Sequence, residues 1–232
     1  MRYLGGKHRI AKALAAEIDK VRKPGQLVWD AFCGGLSMSV ALSKNGPVLA
    51  SDACAPLIAM YLAVHSGWDP PTTATRAQRD AALDLPDTDP MKAFLRFGCG
   101  FAGNWSSGFA ESDGRSYAAE TRRGLLSMRT LPLHILHVDF MCVPPMPTDA
   151  ALYLDPPYAG ATPYAAVRPF DSAAFAKRVR EWSAFADVFV SEYSLPYGAC
   201  VWQKTQTTTV SRNKSAYAPA VERLYYIAKG SL

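Results

Sequence analysis

Asp155-Pro156-Pro157-Tyr158 follows directly on the apolar run Ala151-Leu152-Tyr153-Leu154. Two successive prolines fix φ and remove two backbone donors, so the carbonyl oxygens of the turn are left to accept hydrogen bonds from outside the chain. A carboxylate, a free carbonyl and an aromatic ring then meet at the carboxyl end of a strand, where α/β sheets hold their ligands. Together they suit a planar group bearing an exocyclic amine: Asp155 and the carbonyl of Pro156 accept its two N–H groups, and Tyr158 stacks on its face. An ordinary proline-rich loop is the alternative, but average residue usage brings such a tetrapeptide by chance into only about one chain in a thousand.

Two other acids close strands in the same way. Leu27-Val28-Trp29 ends at Asp30 and runs into the tight turn Cys33-Gly34-Gly35, and Pro47-Val48-Leu49-Ala50 leads to Asp52. Neither a dinucleotide Gly-x-Gly-x-x-Gly nor a Walker A loop is present, since Lys7 is followed by His8, so nicotinamide and nucleoside-triphosphate chemistry fall behind. His134 and His137 lie in what reads as a strand, with no Cys or carboxylate partner to complete a ligand set, and no metal site is expected.

Positioning these residues requires a sheet. Ile10, Leu14, Ile18 and Val21 recur at helical spacing and predict a helix over residues 9–23 that stops before Pro24-Gly25. The strand ending at Asp30, its glycine turn, a helix over 37–43, the strand ending at Asp52 and a helix marked by Leu57, Ile58, Tyr61 and Leu62 make a βαβα unit. That order predicts an α/β fold with a doubly wound, mostly parallel sheet. From Ser66 to Ala150 the pattern loosens, with two short helices expected over 90–97 and 121–130. Residues 135–138 lead into Asp139-Phe140, and 151–154 into Asp155, so the sheet has resumed there. Asp171 reads as the N-cap of a helix with Phe175, Val179, Trp182 and Phe185 on one face, and strands over 188–191, 199–202 and 224–228 finish the chain. The expected division is a catalytic domain of residues 1–65 and 134–232 with a small helical or irregular lobe, 66–133, inserted into it.

Composition agrees with one sizeable core. The 232 residues are 49% hydrophobic and 19% charged, which excludes disorder. The longest apolar stretch, residues 53–64, contains Pro56 and falls short of the roughly 18 residues of a spanning helix, so no membrane segment is expected. No export signal is read at the N-terminus. Five widely spread cysteines without a Cys-x-x-Cys pair fit free thiols in a reducing cytoplasm. The net charge of +5 is concentrated: Arg2, Lys7, Arg9, Lys12, Lys20, Arg22 and Lys23 face only Glu17 and Asp19 within residues 1–25, an excess equal to that of the whole chain. A second basic stretch carries Lys204, Arg212 and Lys214 with no acid between them. Two basic segments on an otherwise balanced chain point to a polyanion such as nucleic acid, with solvated surface charge as the alternative.

In the order of its motifs the chain resembles the DNA adenine-N6 methyltransferases of the Dam type, and most of all their compact phage and prophage members. Tyr3-Leu4-Gly5-Gly6-Lys7 matches the family's opening aromatic-x-Gly-Gly-Lys signature, and Asp30-Ala31-Phe32-Cys33-Gly34 its cofactor turn. Asp52 with Leu57, Ile58 and Tyr61 matches the acid and helix that follow. Asp139-Phe140, Asp155-Pro156-Pro157-Tyr158, Ser191-Glu192-Tyr193 and Glu222-Arg223-Leu224-Tyr225 complete the set. The family turn reads Phe-x-Gly-x-Gly; here Phe32-Cys33-Gly34-Gly35-Leu36 has its second glycine moved by one place, and Gly35 is expected to supply the positive φ the turn needs.

The resemblance implies a Rossmann-like, S-adenosylmethionine-dependent enzyme that methylates the exocyclic N6 of adenine in DNA, on a base flipped from the stack. Its cofactor site would comprise Tyr3, Lys7, Asp30, Phe32, Gly34, Asp52, Asp139, Phe140 and Asp155. Tyr3 and Lys7 would meet the amino-acid end, with Lys7 facing the carboxylate; Asp52 would take the ribose, and Asp139 and Phe140 the adenine. Phe32 serves equally well as a core residue. Asp155, Pro156, Pro157 and Tyr158 would carry catalysis. The lobe lies where such enzymes place target recognition, and Arg9, Asn104, Trp105, Arg115, Arg122, Arg123, Lys204, Arg212 and Lys214 are candidates for DNA contacts. The implied location is the cytoplasm of a bacterial or phage-infected cell. Cytosine carbon-5 methylation needs a thiol nucleophile, usually in a Pro-Cys pair, and no such pair occurs. Amino methylation of cytosine-N4, of RNA adenine or of a protein glutamine stands open beside the DNA reading, as does a DNA-binding relative that has lost catalysis.

Overall fold

The computed structural model describes Tyr3 and residues 5–158, 170–206 and 220–232. Leu4, Arg212 and Lys214 therefore lie outside the described residues.

The βαβα unit forms as its periodicity requires. Helix α1 spans Ala11–Asp19, strand β1 Val28–Asp30, α2 Ser37–Leu42, β2 Val48–Asp52 and α3 Ala55–His65. Helix α1 is shorter than its apolar spacing predicts because the chain beyond it is tied down by Arg22. That guanidinium turns inward and donates to the carbonyls of Gln26, Leu42 and Pro47 at 2.8, 2.9 and 2.7 Å. On α3, Leu57, Ile58 and Tyr61 are buried as expected, whereas Leu62 points to solvent.

Helices α4, Arg76–Ala81, α5, Pro90–Ala93, and α6, Tyr117–Leu126, make up the loosely patterned region. A wide turn over Phe94–Gly98 continues α5, so the expected helix over 90–97 is present. Helix α4 escapes periodicity because only Arg79 on it is buried, yet Thr75 and Gln78 form a reciprocal capping box that the sequence spells out. Helix α6 starts four residues before its expected position, where Ser116 Oγ accepts the N–H of Ala119. Phe94, Phe97 and Leu125 pack in one cluster with Leu57 and Tyr61 of α3, so this region shares a core with the sheet.

Strands β3, Leu133–His137, and β4, Ala151–Leu154, restore the sheet, followed by α7, Ser172–Ser183, β5, Val188–Glu192, β6, Ala199–Gln206, and β7, Ala220–Ile227. Asp171 caps α7 by accepting the N–H groups of Ala173 and Ala174, and Phe175, Val179 and Trp182 are buried; Phe185 falls beyond the helix end. Strands β6 and β7 run longer than their apolar residues predict because they pair antiparallel with each other from Ala199↔Tyr226 to Gln206↔Ala220, which makes Lys204 a strand residue rather than a loop residue.

The seven strands stand in the order β3-β2-β1-β4-β5-β7-β6. The first five are parallel, and β7 is inserted antiparallel between β5 and β6. Alternation along β4 sends Ala151 and Tyr153 to the face covered by α1 and α2, and Leu152 and Leu154 to the face covered by α7. Burial on both faces explains why this strand reads as an unbroken apolar run.

Candidate active site

Strand order reverses between β1 and β4, so the carboxyl ends of these neighbours open a crevice, and Asp30 pairs in register with Tyr153 two residues before Asp155. A cavity of about 480 Å³ lies there, within the range typical of small-molecule sites. Tyr3, Lys7, Asp30, Phe32, Gly34, Asp52, Asp139, Phe140 and Asp155 all line it, as does Pro157, while Pro156 and Tyr158 do not.

The turn after β1 is held from three sides. Gly34 has φ +42°, its N–H donates to Asp52 Oδ2 at 2.9 Å, and its carbonyl accepts the Tyr61 hydroxyl at 2.7 Å. The other Asp52 oxygen accepts the N–H of Cys54 at 2.9 Å. Burial raises the Asp52 pKa, opposed by those backbone donors. The expectation that Gly35 takes the positive φ is corrected: Gly34 and Leu36, the latter at +60°, are the left-handed residues. Leu36 stands where the family's second glycine would stand. It bears a left-handed cost of about 1–2 kcal/mol, offset by a side chain that is fully buried.

Asp30 is buried, and Ser39 Oγ donates to its Oδ2 at 2.5 Å. Its Oδ1 has no hydrogen-bond partner among the described residues, although the residue lines the cavity. Burial, aided by the neighbouring Asp155 and Asp52, pushes its pKa from 3.8 to about 7, against the Ser39 bond. Between about pH 4 and pH 7 the folded protein therefore keeps a proton that the unfolded chain has released, so stability falls as pH rises through that window. Asp30→Asn removes this dependence. The stability of the variant relative to wild type is expected to rise by up to about 4 kcal/mol between about pH 4 and pH 8, read by urea denaturation of both proteins.

Lys7, only 8% exposed, places Nζ 2.8 Å from Asp155 Oδ1 and 3.4 Å from Glu222 Oε1. Burial alone would lower the lysine's pKa, but the two carboxylates outweigh it and hold the ammonium above its ordinary value. Burial pushes Asp155 up and Glu222 adds to this, while Lys7 opposes both. The Tyr158 hydroxyl donates to Glu222, the Lys7 ammonium sits 4.7 Å from the ring centroid of Tyr158, and Tyr193 meets that ring edge-on. Glu192, at the end of β5, is pushed by burial to about 7, with Asp155 and Glu222 contributing. Sequence reasoning placed Glu222 in a motif but gave it no role; its signal is an acid in a strand whose only other charged residue is Arg223.

Asp139 caps a short turn by accepting the N–H of Met141 at 2.9 Å. Phe140 is buried against Trp29, Phe32, Phe175 and Trp182. Phe32 is half-buried in the same aromatic group, so it belongs to the core and to the cavity wall together.

The candidates for DNA contacts divide. Arg9, Arg123 and Lys204 are exposed. Arg115 is paired with Glu120 at 2.5 Å and Arg122 with Asp69 at 2.9 Å. Asn104 caps its own turn through the N–H of Ser106. Trp105 is buried against Phe97, and its carbonyl accepts from the buried Arg79 and Arg96. Successive residues of a strand alternate faces, so His134 and His137, three apart on β3, point to opposite sides of the sheet. No group of three or more His, Cys, Asp or Glu among the described residues is arranged to hold a metal ion. No described helix is long and apolar enough to cross a membrane.

Among solved structures, the chain is similar over 98% of its length to the whole of Thermoplasma acidophilum 1320, with 10% identity and a TM-score of 0.45. It is also similar over 94% of its length to 85% of the rRNA methyltransferase aviRa of Streptomyces viridochromogenes, with 15% identity and a TM-score of 0.39. The sheet is that of a Rossmann-like methyltransferase, and the family's cofactor is S-adenosylmethionine. Residues 3–87, which run from Tyr3 through the glycine turn and α3, match the family model of the D12 class N6 adenine-specific DNA methyltransferases, and this match supports the resemblance to the Dam-type adenine methyltransferases.

Proposed function

We propose that this chain moves the methyl group of S-adenosylmethionine to the exocyclic N6 of adenine in DNA, on a base turned out of the duplex. The observation that carries the reading is Asp155, half-buried at the carboxyl end of β4 on the cavity wall and held 2.8 Å from Lys7 Nζ. When bound, the cofactor supplies an electrophilic methyl group on a sulfonium. The cavity fits it: the unpartnered Oδ1 of Asp30 is an acceptor for the cofactor's ammonium. The Asp52 carboxylate accepts the backbone N–H groups of Gly34 and Cys54 on its two oxygens and lines the cavity, where it would take the ribose hydroxyls. Phe32 and Phe140 flank the adenine with Asp139, and Tyr3, packed on Phe97 beside Gly34, borders the amino-acid end.

Asp155 and the Pro156 carbonyl accept the two N–H groups of the target amine and localise its lone pair on nitrogen. The amine so held would take the methyl group that the sulfonium supplies, the bonding pair remaining with sulfur, and the surplus proton would leave along the hydrogen bond to Asp155. Orientation and fixed charge supply the acceleration, without a covalent enzyme intermediate. Tyr158 replaces part of the stacking that the base loses on leaving the duplex. Residues 66–133 are the proposed recognition lobe. Arg9, Arg123 and Lys204 are the side chains most available to phosphates, and the buried Trp105 is not among them. The reaction belongs in the cytoplasm of a bacterial or phage-infected cell.

The test is transfer of labelled methyl from S-adenosylmethionine to unmethylated DNA, followed by digestion to nucleosides and mass identification. N6-methyladenine is the expected product. N4-methylcytosine, or label entering only RNA or protein, overturns the assignment of substrate. If the cofactor fails to raise the melting temperature, as a ligand of the folded state must, the chain is a DNA-binding relative that has lost catalysis.

A further inference from the structure

Both ends of the Asp155-to-Tyr158 turn are tied to one residue that does not line the cavity. Glu222 on β7 is 5% exposed and lies two residues before Leu224, which packs on the sheet face covered by α1. Residues two apart on a strand share a face, and Lys7, just before α1, reaches Glu222 on that side. The contacts close a ring: Asp155 to Lys7 at 2.8 Å, Lys7 to Glu222 at 3.4 Å, and the Tyr158 hydroxyl donating to Glu222.

We propose that Glu222 is a positioning residue for methyl transfer, fixing the Tyr158 ring through its hydroxyl and sharing the Lys7 ammonium so that Asp155 keeps acceptor capacity for the substrate amine. This rests on the reading that Asp155 and Tyr158 hold the target base. One ammonium lies between two carboxylates, so neither acid takes all of its charge. Without the negative charge at 222, Lys7 turns wholly to Asp155 and competes with the substrate's N–H groups. Without the Tyr158 bond, the ring loses the contact that sets its angle over the base.

The groups facing Asp155 are Lys7, Asp30, Tyr153, Tyr158, Glu192, Tyr193 and Glu222. Among them Glu222 is a negative charge that holds the Asp155 pKa up. Methyl transfer needs Asp155 ionised, so activity is lost as pH falls through that pKa. Removing the Glu222 charge moves this acidic limb to lower pH.

The experiment compares wild type, Glu222→Gln, Tyr158→Phe and the double variant in single-turnover methylation of DNA across pH, with cofactor affinity and melting temperature measured in parallel. Glu222→Gln is expected to slow transfer on the order of 10–100-fold, leave the cofactor dissociation constant within about threefold, and shift the acidic limb down by about one pH unit. Tyr158→Phe, which keeps the ring but removes a hydroxyl bond that lowers the Asp155 pKa, should slow transfer without the downward shift, any movement of its acidic limb being upward. The double variant should lose less than the product of the two single losses, because both act through one contact. A purely structural role would lower the melting temperature and leave the limb in place, and that overturns the proposal. Should Glu222→Gln fail to fold, an unchanged transfer rate in Tyr158→Phe overturns it instead. A wild type that makes N6-methyladenine while both variants match it in rate and pH profile sinks the Glu222 proposal alone. A wild type that methylates no DNA sinks the underlying reading and this proposal together.

Discussion

Asp155→Ala is expected to cost single-turnover methyl transfer at least about 10²–10³-fold, the loss that follows removal of one preorganised polar group from a buried reaction site. Three consequences of the structure converge on this residue. Its carboxylate, the proposed acceptor, lies at the carboxyl end of β4, where the switch point opens the cavity. It is the nearer of the two acids beside Lys7, so the substitution leaves that ammonium with Glu222 alone, at 3.4 Å. The ammonium then has one carboxylate in place of two beside the place where the amine must become electron-rich, which opposes the reaction as well as removing help. Asp155→Asn retains one acceptor oxygen and the side-chain volume, so its loss should be smaller than that of Ala. Cofactor affinity should move less than the transfer rate in both variants, since Asp30, Asp52 and the aromatic wall are untouched. Rapid-quench methylation with equilibrium cofactor binding separates the two effects; an Asp155→Ala protein transferring methyl at near the wild-type rate would remove Asp155 from the mechanism.

Gly34→Ala carries the other large expected effect, on cofactor binding. A Cβ at this position would lie 2.8 Å from the ring of Tyr3, closer than packed atoms come, and the backbone there has φ +42°. The left-handed backbone costs a non-glycine residue about 1–2 kcal/mol, and Tyr3 must be displaced besides. Gly34 also donates to Asp52 and accepts from Tyr61, so relief by moving the turn disturbs the acid assigned to the ribose. The expected result is a cofactor dissociation constant raised more than about tenfold and stability lowered by about 1–3 kcal/mol. Calorimetric binding and urea denaturation check both. Binding and stability equal to wild type would show that the turn is not under the constraint the structure describes.

How much of this was legible varied by residue. Strand β4 and the turn after it were readable to the residue, because a fully buried parallel strand is an unbroken apolar run and two prolines announce its end. The N-cap of α7 was readable too, since Asp171 satisfies donors only two and three residues away. Helix α4 was missed although its capping box lies in four consecutive residues, since the helix buries only Arg79 and so shows no apolar period. The paired strands β6 and β7 extended beyond their apolar residues because each lends the other a hydrogen-bonded edge.

By itself the sequence determined the βαβα opening, the acids that end β1, β2 and β4, and the rigid Asp155-Pro156-Pro157-Tyr158 turn on which the proposed amine chemistry rests. Each of these depends on side chains and backbone chemistry within a window of a few residues. Only the tertiary structure decided that Lys7 meets Asp155 and Glu222, that Leu36 rather than Gly35 takes the left-handed backbone, and that Trp105 is core. Lys7 lies far from Asp155 along the chain, and no local pattern records which buried cation will balance which buried acid. That pairing is set when the sheet brings the end of β4, the strand β7 and the approach to α1 to one point, where a charge without a partner would be too costly to bury.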